Sequence, residues 1–273
     1  IAYCAMSEPS TDSASYFSER FSALSRVYGE SGLKRLSQAH ICVVGIGGVG
    51  SWVAESLARS AVGKITLIDS DTVARSNTNR QILALESTLE QPKVAVMCER
   101  ILQINPDCVC QPLQLDLSHE NIRELLEQGY DCVVDAIDGI NAKAQMIYHC
   151  RRNKIKIVST GGAGGLLDPT QVTIRDLSKT HNDPLAAKVR SELRRNYNFS
   201  RNPKRNFGVP CVYSTEQQRY PSVEGEVSYC KPGVAGLSLD CAFGYGSSVM
   251  VTAAVAQAAT YKAIELVLKG GKN

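Results

Sequence analysis

At 273 residues with 44% hydrophobic content, the chain can bury a sizeable core, enough for one main α/β domain with insertions. A formal charge of +3 is too small to name a partner, so only the distribution of charge along the chain can argue for or against a nucleic acid. Ten cysteines contain no C-x-x-C pair, which excludes the usual spacing of a structural zinc site, and several lie in apolar runs as the reduced thiols of a cytosolic protein do.

Residues 1–12 have no basic start and no long apolar run, and read as a disordered lead-in to a single domain over 13–273. Residues 13–39 place Phe17, Phe21, Leu24 and Tyr28 at helical spacing, with Gly29 and Gly32 as stops. Residues 41–44 read as a buried parallel strand and run into Gly45, Gly47, Gly48 and Gly50, a G-x-G-x-x-G turn. From Ser51 the period becomes helical, with Val53, Leu57 and Ala61 on one face, before a strand over 65–68 ends in Asp69. Glycines let a phosphate approach the backbone at the helix N-terminus, where unpaired N–H groups and the helix dipole attract anions, and Asp69 stands where a ribose hydroxyl would be held.

A polar stretch over 72–81 carries Asn77, Asn79 and Arg80, and is not core material. Helices are expected over 92–104, 118–128 and 141–152, and strands over 109–115, 130–136 and 155–159, the last stopping at the glycines of 161–165. This alternation predicts a doubly wound, Rossmann-like, mostly parallel sheet whose ligands lie beyond the strand C-termini, the edge that holds Asp69, Asp138 and the 161–165 loop. From 171 to 245 the pattern breaks into a strand over 172–175, a polar helix over 184–195, an aperiodic mobile loop over 196–210, a strand over 211–215 and a turn-rich loop over 220–239. An Ala-rich helix over 246–269 closes the chain. Gln257, Thr260, Lys262 and Glu265 interrupt its apolar surface, so a packed helix is expected and not a membrane span.

The glycine turn and its acid suit a nicotinamide dehydrogenase as well as an ATP user. Arg80, Lys93 and Asp138 at the same strand ends favour the second, because two cations and a carboxylate can surround a triphosphate and its Mg²⁺ and stabilise departing pyrophosphate. No Walker-type G-x-x-x-x-G-K-[ST] loop is present.

GIGGVGS with IDSD, NTNRQ, Pro92–Lys93 and the DAID of 135–138 resemble the adenylating domain of the ubiquitin-activating-enzyme-like superfamily over residues 15–165. Further blocks at 159–165, 168–171, 183–190, 211–216 and 240–246 are similar to those of the tRNA threonylcarbamoyladenosine dehydratases within it. The resemblance implies ATP-dependent adenylation of the threonylcarbamoyl carboxylate on an anticodon-loop adenosine, followed by ring closure that expels AMP. It further implies that the Gly45–Gly50 turn cradles phosphates, Asp69 holds the ribose, Asp71 belongs to the same cofactor-binding set, Asn77 and Arg80 contact the triphosphate, Lys93 neutralises phosphate charge, and Asp138 binds magnesium. Relatives place an N-terminal arginine in the partner subunit's site; Arg26 or Arg20 offers it here, with Arg26 favoured. A homodimer is therefore expected, with an apolar face of the terminal helix available to it.

The charge distribution carries its own hint of RNA. Lys188, Arg190, Arg194, Arg195, Arg201, Lys204 and Arg205 stand against the single acid Glu192, with Tyr197, Phe199 and Phe207 interleaved, cations for phosphates and rings for unstacked bases. A solvated basic loop is the competing reading. A sulfur-carrier-activating adenylyltransferase is the alternative enzyme, opposed by the missing C-x-x-C pairs and by this basic segment; a tRNA-binding protein without turnover is the alternative outside enzymes. Cys211 and Cys241 lie in family-like blocks, yet adenylation with intramolecular ring closure needs no thioester. The expected setting is cytoplasmic, with tRNA as partner, neither membrane nor DNA, and contact with cysteine-desulfurase-system proteins left open.

Overall fold

A computed structural model of the chain describes residues 11–221, 225–229 and 246–270. The first apolar run forms β1 (His40–Val44), with Ile41, Cys42, Val43 and Val44 at 1% exposure or less, a strand covered on both faces as in a central parallel sheet. β1 pairs in parallel with β2 (Lys64–Ile68) on one side and β4 (Cys132–Asp135) on the other. β3 (Val109–Leu113) extends the sheet beyond β2, while β5 (Ile157–Thr160) and β7 (Pro210–Ser214) extend it beyond β4, all in parallel. Only β6 (Val172–Asp176) runs antiparallel, on the far edge against β7. The order β3-β2-β1-β4-β5-β7-β6 reverses direction at β1, so the crevice between the ends of β1 and β4 is the switch point at which doubly wound sheets take their ligands.

Helices cover both faces. α1 (Thr11–Gln38) changes direction at Gly29, whose φ of 75° and ψ of 161° break the helical path; of the two expected stops only Gly29 interrupts it, and Gly32 stays inside the second helical piece. α2 (Gly50–Arg59) and α3 (Lys93–Ile104) pack on one face with α7 (Val249–Lys269), and α5 (Ile140–Arg152) and α6 (Pro184–Asn196) cover the other; between them α4 (Ile122–Leu126) is shorter than the expected 118–128 helix.

α7 starts three residues later than expected, where Ser248 caps it by accepting from the Met250 N–H. It is long and apolar enough to cross a membrane by length and composition. Val251, Val255, Ala259, Ala263 and Val267 nevertheless lie buried against α2 and the sheet. One face of the helix is thus buried inside the protomer, while Val249, Met250 and Tyr261 stay exposed on it.

Two departures concern the region after β5. β6 and β7 belong to the main sheet, so residues 171–245 include structural strands as well as insertion. The segment 196–210, read as a mobile loop, is tied down by Asp176, whose carboxylate accepts from the N–H groups of Phe207 (2.9 Å), Gly208 (2.7 Å), Val209 (3.1 Å) and Ser178 (2.9 Å). Single-acid anchoring of this kind has no periodic signature. Of the 220–239 loop, Tyr220–Pro221 (β8) and Val227–Ser228 (β9) form a short antiparallel ribbon. The 1–12 lead-in through residue 10, residues 222–224 and 230–239 of that loop with Cys230, and Cys241 with most of the 240–246 block lie outside the described residues.

Candidate active site

The glycine turn is shaped by contacts that leave no room for side chains. Gly45 has a φ of +87°, and a Cβ there would stand 2.9 Å from the Ala136 carbonyl oxygen at the end of β4; at Gly50 it would stand 1.7 Å from the Gly45 oxygen. Tight folding of the turn onto itself brings the first N–H groups of α2 to the crevice between β1 and β4. Asp69 fixes the turn from the next strand, its Oδ2 accepting from the Ile46 N–H at 2.6 Å and its Oδ1 from the Asp71 N–H at 2.9 Å. The carboxylate is half-buried, so it holds the loop and still borders the crevice.

Arg80 lies beside this turn. A Cβ at Gly48 would come 3.2 Å from Arg80 Cγ, while Trp52 Nε1 donates to the Arg80 carbonyl at 3.0 Å, tying α2 to the loop that follows β2. The Arg80 guanidinium donates to Ser76 O (2.8 Å) and Asn79 Oδ1 (2.9 Å), partners that leave it other N–H donors for an anion. Lys93 opens α3, where its positive charge is ill suited to the helix dipole. Its Nζ sits 2.7 Å from Asp71 Oδ2 and is 6% exposed against 66% for the aspartate. Asp71 therefore acts as the partner of Lys93 in this chain. Asn77 is buried and its Oδ1 accepts from the Ala74 N–H at 3.0 Å, so the residue builds the turn that carries Arg80. Asp138 is exposed in the loop after β4 and faces the same edge.

Beneath that loop lies a group that sequence reading missed. Lys143 of α5 is 1% exposed, and its Nζ donates to Asp135 Oδ1 and to the Ile137 carbonyl, both at 2.8 Å. Asp135, fully buried at the end of β4, also accepts from Ser159 Oγ at 2.7 Å, and its own carbonyl accepts from Thr160 Oγ1. Burial pushes the Asp135 carboxyl up; Lys143 and Ser159 oppose that rise. The available signal was a lysine on the helix face of Ile147 and Cys150, one and two turns on, a position where a charge needs a partner.

Of the seven cations from 188 to 205, the structure exposes Lys188, Arg195, Arg201, Lys204 and Arg205. Arg190 is half-buried on Thr180 Oγ1, and Arg194 lies 5.5 Å over the Phe207 ring. The interleaved aromatics are committed to packing to different degrees. Phe207 is 5% exposed and packs on Phe199 at 4.9 Å, while Tyr197 packs on Tyr148 at 4.8 Å. Phe207 is spent in the cluster under α5 and α6, which corrects the stacking role expected for it; Tyr197 and Phe199 pack against that cluster and stay partly exposed. Arg26 is exposed on α1. Cys211 is fully buried and burial pushes its thiol up, the opposite of an activated nucleophile.

The ThiF family model matches residues 19–272, nearly the whole chain. The chain belongs to the ThiF family. Within it, the chain is 47% identical over 253 residues to the tRNA threonylcarbamoyladenosine dehydratase of Haemophilus influenzae, covering 93% of this chain and 95% of the relative. The solved Escherichia coli tRNA N6-threonylcarbamoyladenosine dehydratase, TcdA, in complex with ATP superposes with a TM-score of 0.83 at 44% identity, covering 93% of this chain and 96% of that one. The molybdopterin-synthase adenylyltransferase of Haemophilus influenzae is a more distant relative, 32% identical over 54% of this chain and 63% of its own length.

Proposed function

We propose that the chain is an ATP-dependent tRNA threonylcarbamoyladenosine dehydratase. The observation that carries the substrate is the extent of similarity: a sulfur-carrier-type adenylyltransferase matches only 54% of the chain, whereas a dehydratase matches 93%, including the part beyond β5. ATP is the nucleotide. The backbone of the Gly45–Gly50 turn receives phosphate oxygens, Asp69 borders the ribose, and Arg80 and Lys93 place positive charge where pyrophosphate departs. Asn77 takes part by shaping the Arg80 turn.

Magnesium fits the donor set. Asp138 is an exposed carboxylate at the switch point, and no group of three or more His, Cys, Asp or Glu side chains among the described residues could form an all-protein cage. Mg²⁺ characteristically takes one or two carboxylates and completes its shell with phosphates and water. When bound it supplies charge neutralisation for the triphosphate. Asp138 would hold it, and Lys143, through Ile137 O, fixes the backbone from which Asp138 extends.

With the nucleotide so placed, the substrate carboxylate attacks the α-phosphorus, the bond to the β-phosphate oxygen breaks, and pyrophosphate leaves. A urea oxygen or nitrogen of the threonylcarbamoyl group then attacks the activated carboxyl carbon, the bond from that carbon to the AMP oxygen breaks, and AMP and a urea N–H proton leave, with net loss of one water from the nucleoside. The five exposed cations from 188 to 205 provide the phosphate contacts for tRNA. A homodimer in which Arg26 of one protomer reaches the site of the other belongs to the same reading.

Incubation with ATP, magnesium and tRNA carrying the modified adenosine is expected to yield AMP, pyrophosphate and a nucleoside lighter by one water in mass spectrometry. Release of ADP, or equal turnover without tRNA, would overturn the assignment.

A further inference from the structure

A cleft of ≈ 670 Å³ opens between α5 and α6, lined by residues 139–142 at the start of α5 and by Ala187, Lys188, Ser191, Glu192 and Arg195 of α6. That volume lies in the range of small-molecule sites. Gly139 follows Asp138 directly, so one wall of the cleft begins a single peptide, ~3.8 Å between Cα atoms, from the carboxylate-bearing residue of the β1/β4 crevice.

The cleft is open at the end nearest that crevice. Gly139 starts α5 without a capping side chain, and a Cβ there would meet nothing within 4 Å. Glu192 is the one acid in the lining, and its carboxylate is committed, accepting from Arg195 at 2.5 Å and from Asn196. Lys188 is exposed and forms no hydrogen bond or ion pair among the described residues, and the same holds for the side chains of Asn141 and Ser191. Two cations against one acid leave the lining with a net positive charge, while Ala142 and Ala187 supply apolar surface between the polar groups.

This combination suits a single ribonucleotide. Apolar surface lies against a base, an amide and a hydroxyl bond base edges or a 2′-OH, and cations take the phosphates on either side. Lys188 and Arg195 also belong to the exposed cations of 188–205, so the cleft is where that surface reaches the Asp138 loop. The length of the modification sets a limit. Four bonds separate the adenine N6 from the carboxyl carbon of a threonylcarbamoyl group, roughly 5 Å at ordinary backbone bond lengths. An adenine whose carboxylate attacks the α-phosphorus must therefore sit immediately beside the nucleotide crevice, and the cleft that starts at Gly139 has that position.

We propose that this cleft receives the target adenosine itself, swung out of the anticodon loop, with its base against Ala142 and Ala187, Lys188 and Arg195 on the flanking phosphates, and the N6 arm running past Gly139. The proposal rests on the dehydratase reading and deepens it. The cleft holds base, ribose and phosphate only. The carboxylate is left to the crevice, where Arg80 and Lys93 gather positive charge and the α-phosphorus lies within its reach.

The test fills the cleft and watches the base. An anticodon stem-loop carrying 2-aminopurine at the target position should brighten at least threefold on binding wild type, because the probe leaves its stack. A187L/S191L, which puts two leucines on the α6 wall, should bind the stem-loop within threefold of wild type without that rise. It should form AMP from ATP with modified tRNA at least fiftyfold more slowly, yet bind ATP within twofold in calorimetry. Lys188→Glu, at an exposed position that does not threaten folding, should raise KM for modified tRNA at least tenfold with the same ATP affinity. Wild-type KM in Lys188→Glu, or the full rise or wild-type turnover in a folded A187L/S191L, overturns the cleft assignment, as does a wild type that turns over modified tRNA without any rise. A wild type that brightens the probe but makes no AMP with modified tRNA overturns the dehydratase reading and leaves the cleft as a site for an RNA base.

Discussion

Replacement of Lys143 by methionine tests how the fold supports the site. The Nζ at 2.8 Å from Asp135 Oδ1 is 1% exposed and the carboxylate fully buried, so the variant leaves an acid in the interior with Ser159 Oγ as its remaining side-chain donor. Removing one partner of a buried pair costs about 3–5 kcal/mol. That is a large part of the 5–15 kcal/mol by which domains are stable. Without its cation, Asp135 takes up a proton, because burial already pushes its carboxyl up. The folded form then binds more protons than the unfolded one between the ordinary aspartate pKa of about 3.9 and the raised value, so stability falls as pH rises through that window. Urea unfolding should therefore show K143M losing about 3–5 kcal/mol near pH 8 and less near pH 5, with an unchanged m-value. D135N/K143M should recover part of the loss. Because Lys143 also holds Ile137 O, K143M should weaken ATP binding with magnesium present more than with EDTA. A K143M protein within 1 kcal/mol of wild type at both pH values, or a double variant no better than the single one, would refute this account.

Gly50→Ala should abolish measurable ATP binding or yield insoluble protein, since its Cβ would lie 1.7 Å from the Gly45 oxygen; isothermal titration with wild-type affinity would contradict the turn geometry. Asp176→Ala strands four backbone N–H groups and should cost about 2–4 kcal/mol in thermal or denaturant unfolding, hydrogen bonds to charged groups being worth about 1.5–3 kcal/mol each before water replaces some of them. Burial pushes the Asp176 carboxyl up, but these donors win and hold it below the usual range, so its contribution is present above about pH 3.9 and is lost as pH falls through the lowered folded value. His40 is lowered to about 4 by burial and by Lys64 against Asp131. Its neutral form is the folded one, so stability is complete above pH 6.5 and declines towards pH 4; His40→Gln should flatten that slope, and an unchanged slope would dismiss it. Replacing Arg201, Lys204 and Arg205 together by glutamine should reduce the slope of log K for tRNA against log salt by about two, at ~0.7 per contact, and an unchanged slope would remove these cations from the interface.

The nucleotide half of the molecule was legible because it is written in local, periodic signals. Continuous apolar runs mark β1, β2 and β4, the glycines must follow β1 at fixed spacing, and acids end the strands, so the sheet edge that holds Asp69 and Asp138 was legible, while the strand order that makes β1 and β4 the switch point was not. The region beyond β5 was less legible because its order comes from single side chains acting over long sequence separations. Asp176 anchors residues 31 to 33 positions away, Glu216 Oε2 accepts from the N–H groups of Leu167 and Asp168, and Asp183 joins the 161–165 loop to α6. No short pattern distinguishes such acids from solvated ones.

The aromatic residues show the same limit from the other side. Tyr197, Phe199 and Phe207 alternate with cations in a way that suits single-stranded RNA, and composition cannot tell a ring offered to a base from a ring offered to Tyr148 or to the core. Burial separates the two. With Phe207 turned inward, the exposed part of this segment is five cations, able to hold phosphates without reading bases, beside the partly exposed rings of Tyr197 and Phe199.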